Sequence, residues 1–309
     1  MKSISEKRVA IIIITYNQKK LLIDCIKSIK ENTDYGPYEI FVVDNGSKDG
    51  IGRKIHELFP DINVIINEKN FGFGRGNNVG LMVAEKAYNP DYFLILNDDT
   101  EIIQKDWLGK SIDFLERDKK TGILGAKLIY ADGKVQNAGG FTKGWQITRL
   151  SEIRKDDFIN VDHVMGAFML IRKEAIRVTG GFDEIFSPYL LEDTDLCLRA
   201  KKKGFAVKSA GGVEVIHHAH KSLSQSRNPN LFFRFKNDIL FSWRHLTFTN
   251  FIFRTFIYLP AVAIFKKEND ESELKIKNFR LRKDFLFNLV YLIRAYIFIL
   301  LGGRAINLE

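Results

Sequence analysis

Two adjacent carboxylates, Asp98 and Asp99, stand directly behind a run of large apolar residues in the stretch DYFLILNDDTEI, Asp91 to Ile102. Ionised groups are costly at the end of a buried strand unless opposite charge meets them. Hard oxygen ligands of this kind suit Mg²⁺ or Mn²⁺. Such an ion takes most of its shell from substrate phosphates and water and needs only one or two protein carboxylates. A plain Asp-Asp-Thr turn is the competing reading. A second acidic group, Glu192, Asp193 and Asp195, opens the stretch EDTDLCLRAKKKGF. Glu192 or Asp193, projecting from a first helical turn, can act as general base toward a hydroxyl. The same residues would also complement a helix N-terminus with no chemistry at all. The stretch VEVIHHAHKS holds His217, His218 and His220, in a chain with 6 histidines. A histidine behind a strand can complete a metal shell or touch a phosphate.

The glycine-rich stretch NFGFGRGNNVG, Asn70 to Gly80, follows one apolar run and opens another, as a dinucleotide-binding loop does. Asn77 stands where that fingerprint needs its third glycine, and no acidic residue closes a second strand in the expected frame. A nicotinamide site is therefore excluded. Arg75 and Asn77 remain able to lie along a nucleotide or a sugar.

The elements that must carry these residues alternate in type. RVAIIIITYN is a continuous β-branched run, the pattern of a strand buried on both faces. QKKLLIDCIKSIKEN has apolar residues at Leu21, Leu22, Cys25, Ile26 and Ile29, the helical spacing. YEIFVVDNGS, INVIINEKN and DYFLILNDDT read as further strands; DGIGRKIHELF and GNNVGLMVAEKAY read as helices. The alternation predicts a mostly parallel sheet with helices on both faces. Beyond it, GILGAKLIYADGKVQNAGG predicts a hairpin turning at Asp132-Gly133. A strand and a short helix, Lys173 to Val178, follow and close at Gly180-Gly181, then the acidic-ended helix and the strand ending in histidines. Ligands of open parallel sheets bind beyond the carboxyl ends of the strands. Four polar strand ends would meet there: Thr15-Tyr16-Asn17, Asp44 to Ser47, Asn67 to Asn70, and Asn97 to Asp99.

With 309 residues, 45% apolar and 28% charged, the chain has an ordinary globular composition. Cys25 and Cys197 fit no zinc or disulfide pattern and read as small core residues of a reducing compartment. The apolar run near the N-terminus is too short for a secretion signal, which predicts a cytoplasmic protein. The net charge of +9 is uneven, because residues 230–309 carry +6 of it together with 17 of the 38 aromatics. Two dense apolar stretches in that tail, Phe251–Phe265 and Phe285–Leu301, fall short of a clean span and contain Arg254 and Arg294. Helices lying on a membrane surface, at the inner face of the cell membrane, are the expectation; packing on protein is the alternative. The mixed signs of the charged stretch between them, KKENDESELKIKNFRLRK, speak against nucleic-acid binding.

Taken as an ordered set, IIIITYNQKKLLIDCIKSI, VVDNGSKDG, NFGFGRGNNVG, LILNDDTEI, GAFMLIRKEAI…GGFDEIF, LEDTDLCLRAKKKGF and VIHHAHKS resemble glycosyltransferase family 2, over roughly residues 8–245. Its members are inverting enzymes of the GT-A fold, and the GFGRGNN and EDTDLCLR pieces are most similar to its rhamnosyltransferase-like branch. The resemblance implies a catalytic domain over 1–229, with a nucleotide-sugar half to about 122 and an acceptor half from about 123. A helical extension over 230–309 would follow. It implies that Thr15, Asn17 and Asp44 form the base pocket, and that Asn45, Ser47, Asn70 and Arg75 lie near the nucleotide or its diphosphate. Asn97, Asp98 and Asp99 match the family's DxD position, with Asn97 in place of the first acid. Asp99 is the first choice as metal ligand, with Asp98 near ribose or metal. Asp193 matches the catalytic base, with Glu192 beside it, and His217 ahead of His218 would meet metal or diphosphate. The implied reaction moves a sugar from a nucleoside diphosphate, dTDP-rhamnose or a UDP-sugar, to a hydroxyl of a glycan or polyprenyl-linked acceptor. That would place the protein in cell-surface polysaccharide synthesis. A nucleotidyltransferase is the rival enzyme, although TYNQKK lacks the glycine-rich loop such enzymes carry behind the first strand. A catalytically silent carbohydrate- or membrane-binding module is the rival from another class. Sugar, linkage and oligomeric state stay open.

Overall fold

The computed structural model describes residues 7–218, 229–267, 279–281 and 285–301. His220 and most of the charged stretch in the tail lie outside the described residues. The chain divides into two compact units, Met1–Thr142 with Ile147–Ser224, and Lys143–Gln146 with Gln225–Glu309.

The first unit contains strands β1 (Val9–Thr15), β2 (Tyr38–Asp44), β3 (Asn63–Ile66), β4 (Tyr92–Asn97), β5 (Thr100–Ile102), β6 (Thr121–Ile129) and β7 (Val135–Asn137), then β8 (Gly140–Lys143) and β9 (Gln146–Arg149), whose end residues Lys143 and Gln146 belong to the second unit, and β10 (Phe158–Asn160), β11 (Phe168–Arg172) and β12 (Ala206–His217). Its helices are α1 (Lys19–Glu31), α2 (Ile51–Leu58), α3 (Phe73–Ala87), α4 (Trp107–Arg117), α5 (Lys173–Thr179) and α6 (Glu192–Lys202). One sheet runs β10-β12-β6-β11-β4-β1-β2-β3, with β5 beside β12 and β7 beside β6. The pairs β1–β2, β1–β4, β2–β3 and β6–β12 are parallel. β11 runs against both β4 and β6, so one reversed strand lies between two parallel sets.

The continuous apolar run of β1 follows from burial on both faces. Val9, Ile11 and Ile13 pack with Leu22 and Ile26 of α1 and Trp107 and Leu108 of α4. Ala10 and Ile12 point the other way, toward Leu81 of α3 and Leu196 of α6. Alternate side chains of a strand must face opposite sides, so each β-branched residue finds a helix layer. Both cysteines are free and buried in these layers, as expected. The predicted hairpin is β6–β7, with Gly133 at φ 83° in its turn, and α5 ends on Gly180 at φ 77°.

The second unit comprises α7 (Pro229–His245), α8 (Phe248–Phe253), a π-helical turn (Arg254–Tyr258), α9 (Leu259–Ile264), the short pair β13 (Phe265–Lys267) and β14 (Phe279–Leu281), and α10 (Phe285–Leu300). Phe235, Ile239, Leu259, Ala263, Leu292 and Ala295 form its core. Arg254, which breaks the first apolar stretch of the tail, is turned inward: its Nε donates to Asp238 Oδ1 at 2.8 Å and its guanidinium also donates to the Trp145 carbonyl. Among the described residues no helix is long and apolar enough to cross a membrane.

Candidate active site

The parallel run β3-β2-β1-β4 aligns its carboxyl ends. Thr15 pairs with Asp44 and Ile14 with Asn97, which sets three of the expected residues at one level of the sheet edge. The loops behind β1 and β2 are laced together. Ser47 Oγ accepts from the Asn17 amide at 2.9 Å, and Asn17 Oδ1 accepts from the Lys48 amide at 2.7 Å. Asn17 adopts φ 54°, a left-handed conformation that asparagine tolerates. Buried Asp44 accepts from the Ser47 amide at 2.8 Å. Its other oxygen lies where a Cβ on Gly52 would come within 2.8 Å.

Asn45 and Asn70 organise the third loop. Asn45 Nδ2 donates to Asn70 Oδ1 at 2.9 Å and to the Gly72 carbonyl at 3.1 Å, while its Oδ1 accepts from Asn67 and from the Phe71 amide. Its polar capacity is thus spent inside the protein. Asn77 departs from expectation. It is fully buried and donates to the Phe73 carbonyl, so it lines no ligand surface. The cause is that α3 starts at Phe73, inside the glycine-rich stretch, and Asn77 sits a full turn into the helix. Exposed Arg75 stacks on Phe71 at 4.1 Å and lies 3.7 Å from Glu184.

The acidic pair behind β4 splits in role. Burial pushes the Asp98 carboxyl up to about 7, Asp99 adds to the rise, and the Thr15 hydroxyl works against it. Asp99 is buried and its Oδ1 lies 3.2 Å from His217 Nε2 without the alignment of a hydrogen bond. Gln136 Oε1 accepts from His217 Nδ1 at 2.6 Å, so Nδ1 carries a proton and Nε2 is the ring nitrogen turned toward Asp99. Asn97 Nδ2 is 3.5 Å from the same Nε2. A carboxylate and a ring nitrogen this close are joined by a proton or by a metal cation, and an outer hydrogen bond to the far nitrogen is the usual support of a ligating histidine. Asp99 and His217 therefore fit a divalent ion. Among the described residues no three His, Cys, Asp or Glu side chains gather to hold a metal, and an ion at this pair would draw on substrate phosphates and water. His218 faces elsewhere, with Nε2 3.2 Å from Glu101. It lines a cleft of about 730 Å³ together with Asn17, Lys20, Lys27, Asp99 and Glu101. Gln136 carried no signal in the sequence; β7 and β12 flank β6, and only that pairing brings it to His217.

Asp193 reaches the same edge by way of the reversed strand. The Asn97 amide donates to the Ala167 carbonyl at 3.2 Å, which seats the entry to β11 beside the end of β4. One residue earlier, the Gly166 amide donates to Asp193 Oδ2 at 2.9 Å. Asp193 Oδ1 accepts from the amide of Thr194 at 2.6 Å and from its hydroxyl at 3.2 Å. Three donors thus fix a partly exposed carboxylate in the first turn of α6. Leu190 and Leu191, just before it, hold φ 83° and 72°, a strained pairing for bulky residues. Glu192 is buried. Asp195 is internal and accepts from Arg199 Nε at 2.6 Å; Arg199 in turn donates to the Thr179 and Gly181 carbonyls, pinning α6 to the end of α5.

Glycosyl transferase family 2 matches this sequence over residues 10–180. The chain belongs to glycosyltransferase family 2. Among its relatives is an uncharacterized protein, y4gI, of Sinorhizobium fredii, 28% identical over 75% of this chain; the chain spans only 26% of that relative's length. Another is the N-acetylglucosaminyl-diphospho-decaprenol L-rhamnosyltransferase of Mycobacterium tuberculosis, 26% identical over 71% of this chain and 78% of the relative. The mannosyltransferase PcManGT of Pyrobaculum calidifontis, solved with GDP-Man and Mn²⁺, superimposes with a TM-score of 0.58 at 17% identity, covering 96% of this chain and 87% of its own. The mixed sheet with its flanking helices is the GT-A fold.

Proposed function

We propose that this glycosyltransferase moves a sugar, with inversion, from a nucleoside-diphosphate donor to a hydroxyl of a glycan or lipid-linked glycan in polysaccharide synthesis at the cytoplasmic face of the cell membrane. The observation that carries the reading is the Asp99–His217 pair, a carboxylate and an oriented imidazole Nε2 at the carboxyl end of β4. Thr15, Asn17, Asp44 and Ser47 form the nucleotide end of the crevice, and Asp98 stands between them and Asp99. Exposed Arg75, stacked on Phe71, offers a cation for the donor phosphates. Asn45 and Asn70 hold the loop behind it. A Mg²⁺ or Mn²⁺ ion held by Asp99 and His217 would neutralise the charge that grows on the departing diphosphate.

Asp193 accepts the proton of the acceptor hydroxyl as that oxygen attacks the anomeric carbon from the face opposite the diphosphate. A new carbon–oxygen bond forms, the bond to the diphosphate breaks, and its electron pair leaves with the nucleoside diphosphate. The amides of Gly166 and Thr194 keep the carboxylate aimed while this happens. The relative named for L-rhamnose transfer to a decaprenyl diphosphate glycan supports a deoxyhexose donor, such as dTDP-rhamnose, and a polyprenyl-linked acceptor; a UDP-sugar is the other donor to assay.

The test is thermal shift and donor turnover across a panel of nucleotide sugars, with and without Mn²⁺. Stabilisation by one nucleoside diphosphate family that needs the metal is expected. Asp193→Asn should keep that stabilisation and lose about 10²–10⁴-fold in turnover, whereas Asp99→Ala should lose the metal-dependent stabilisation itself. Full transfer by both folded variants would overturn the assignment.

A further inference from the structure

In α10 the residues Asn288, Leu292 and Ala295 are buried, whereas Leu286, Val290, Ile293, Ile297 and Leu300 are between 43% and 84% exposed. Their alternating spacing of four and three places all five on one helical face. A second apolar strip runs along α8 and the π-helical turn through Phe248, Ile252 and Phe256, again one turn apart and exposed, with Ile257 beside it. The two strips share an edge. The Phe256 ring stacks on Tyr296 with centroids 5.8 Å apart, and the Tyr296 hydroxyl donates to the Thr255 carbonyl. Trp243, also exposed, extends the patch through Phe251 to Phe256. In α10 the one charged residue is Arg294, which lies over the Tyr291 ring at 5.4 Å. A contiguous apolar face of this kind marks a docking surface.

Charge decides what docks. Among the described residues of this unit the single acidic side chain is Asp238, which is buried and engaged by Arg254. Arg234 is exposed, and in the sequence Arg280, Arg282 and Lys283 precede α10 with one acid, Asp284, beside them, while Arg304 and Glu309 follow it. A second copy would bring one basic-rich sequence against another, like charge against like. An anionic lipid surface complements both features, since aliphatic side chains enter the boundary between headgroups and acyl chains while Lys and Arg meet the phosphates.

We propose that this face docks the second unit onto an anionic bilayer, with α10 and the α8 strip lying in the interface rather than crossing it. Docking gives the glycosyltransferase reading its lipid-linked acceptor, and it rests on that reading for its purpose alone, because vesicle binding is measured without any transfer. The experiment floats the full chain with vesicles of phosphatidylcholine alone or mixed with phosphatidylglycerol. Binding should require phosphatidylglycerol and weaken as salt rises from about 0.1 to 0.5 M. Ile293→Glu with Ile297→Glu should weaken it by at least about tenfold, with nucleotide-induced stabilisation unchanged. If that pair fails to fold, Leu286→Ser with Leu300→Ser, at two more exposed positions of the strip, reads the same loss. Vesicle binding indifferent to the strip variants overturns the proposal. So does a strip variant that dissociates a dimer in lipid-free sedimentation while leaving vesicle binding intact, for then a second copy covers the face.

Discussion

Asp98 and Asp99 are neighbours with opposite tasks. Asp99 faces His217 Nε2 at 3.2 Å, whereas burial lifts the Asp98 carboxyl from its ordinary 3.8 to about 7. The folded protein therefore holds that proton more tightly than the unfolded chain does. Between those two values the folded state binds the extra proton, so Asp98 makes stability fall as pH rises through the window. In metal-free buffer the melting temperature should drop between about pH 5 and pH 8 by more in the parent protein than in Asp98→Asn. Parallel curves would remove Asp98 as the cause. Gln136 is the other residue-scale test. Gln136→Leu deletes the acceptor that fixes the His217 tautomer and should raise the Mn²⁺ concentration needed for half-maximal stabilisation by about 10–100-fold; an unchanged requirement would mean that the ring is oriented by its packing. Paired acids behind an apolar run are legible in a sequence because their cost is conspicuous. Gln136 was not legible, since a glutamine in a short strand is unremarkable until β6 brings it alongside β12.

At the scale of elements, α3 teaches the sharper lesson. Its glycines read as a loop, and the register of apolar residues begins only at Val79. The helix starts at Phe73, because Gly76 and Gly80 lie one turn apart where it crosses Ile14 and Ile12 of β1, and a side chain there would collide. The glycine that does serve the turn is Gly72, at φ 78° and ψ −178°, a region open in practice to glycine alone. A Cβ at Gly72 would also stand 2.5 Å from the Pro188 carbonyl oxygen, which accepts from the Phe73 amide at 2.7 Å. Gly72→Ala should thus cost about 1–3 kcal/mol from backbone conformation alone and lower turnover as well, because the same junction adjoins the strained turn before Asp193. A melting temperature equal to the parent's would show that the loop rebuilds freely. Strands β1 to β4 were readable from their apolar runs and α1 from its helical period, whereas α4 and the short strands β8 to β10 were not read. The strain at Leu190 and Leu191 was not readable, since leucine gives no warning of a left-handed backbone.

For the whole molecule, the unexpected feature is that Lys143–Gln146, the tip of the β8–β9 hairpin, belongs with the second unit. There Trp145 packs against Phe253 and Tyr258 with centroids 5.2 and 4.7 Å away, and its carbonyl accepts from Arg254. A boundary read from composition looks along the chain and misses a four-residue insertion. Arg254 is compensated by Asp238 inside this core, so Asp238→Ala strands a buried cation and should cost about 3–5 kcal/mol in denaturant unfolding. The stabilisation by nucleotide and metal should persist in that variant, because its residues lie in the first unit. The reversed strand β11 has a broader consequence. It delivers the segment before it, and with that segment the grip on Asp193, to the crevice from the opposite chain direction to β1, β2 and β4. On the proposed reading the acceptor side is thus carried by a different segment from the strand ends that would meet the donor, so a change in one side of the crevice need not disturb the other.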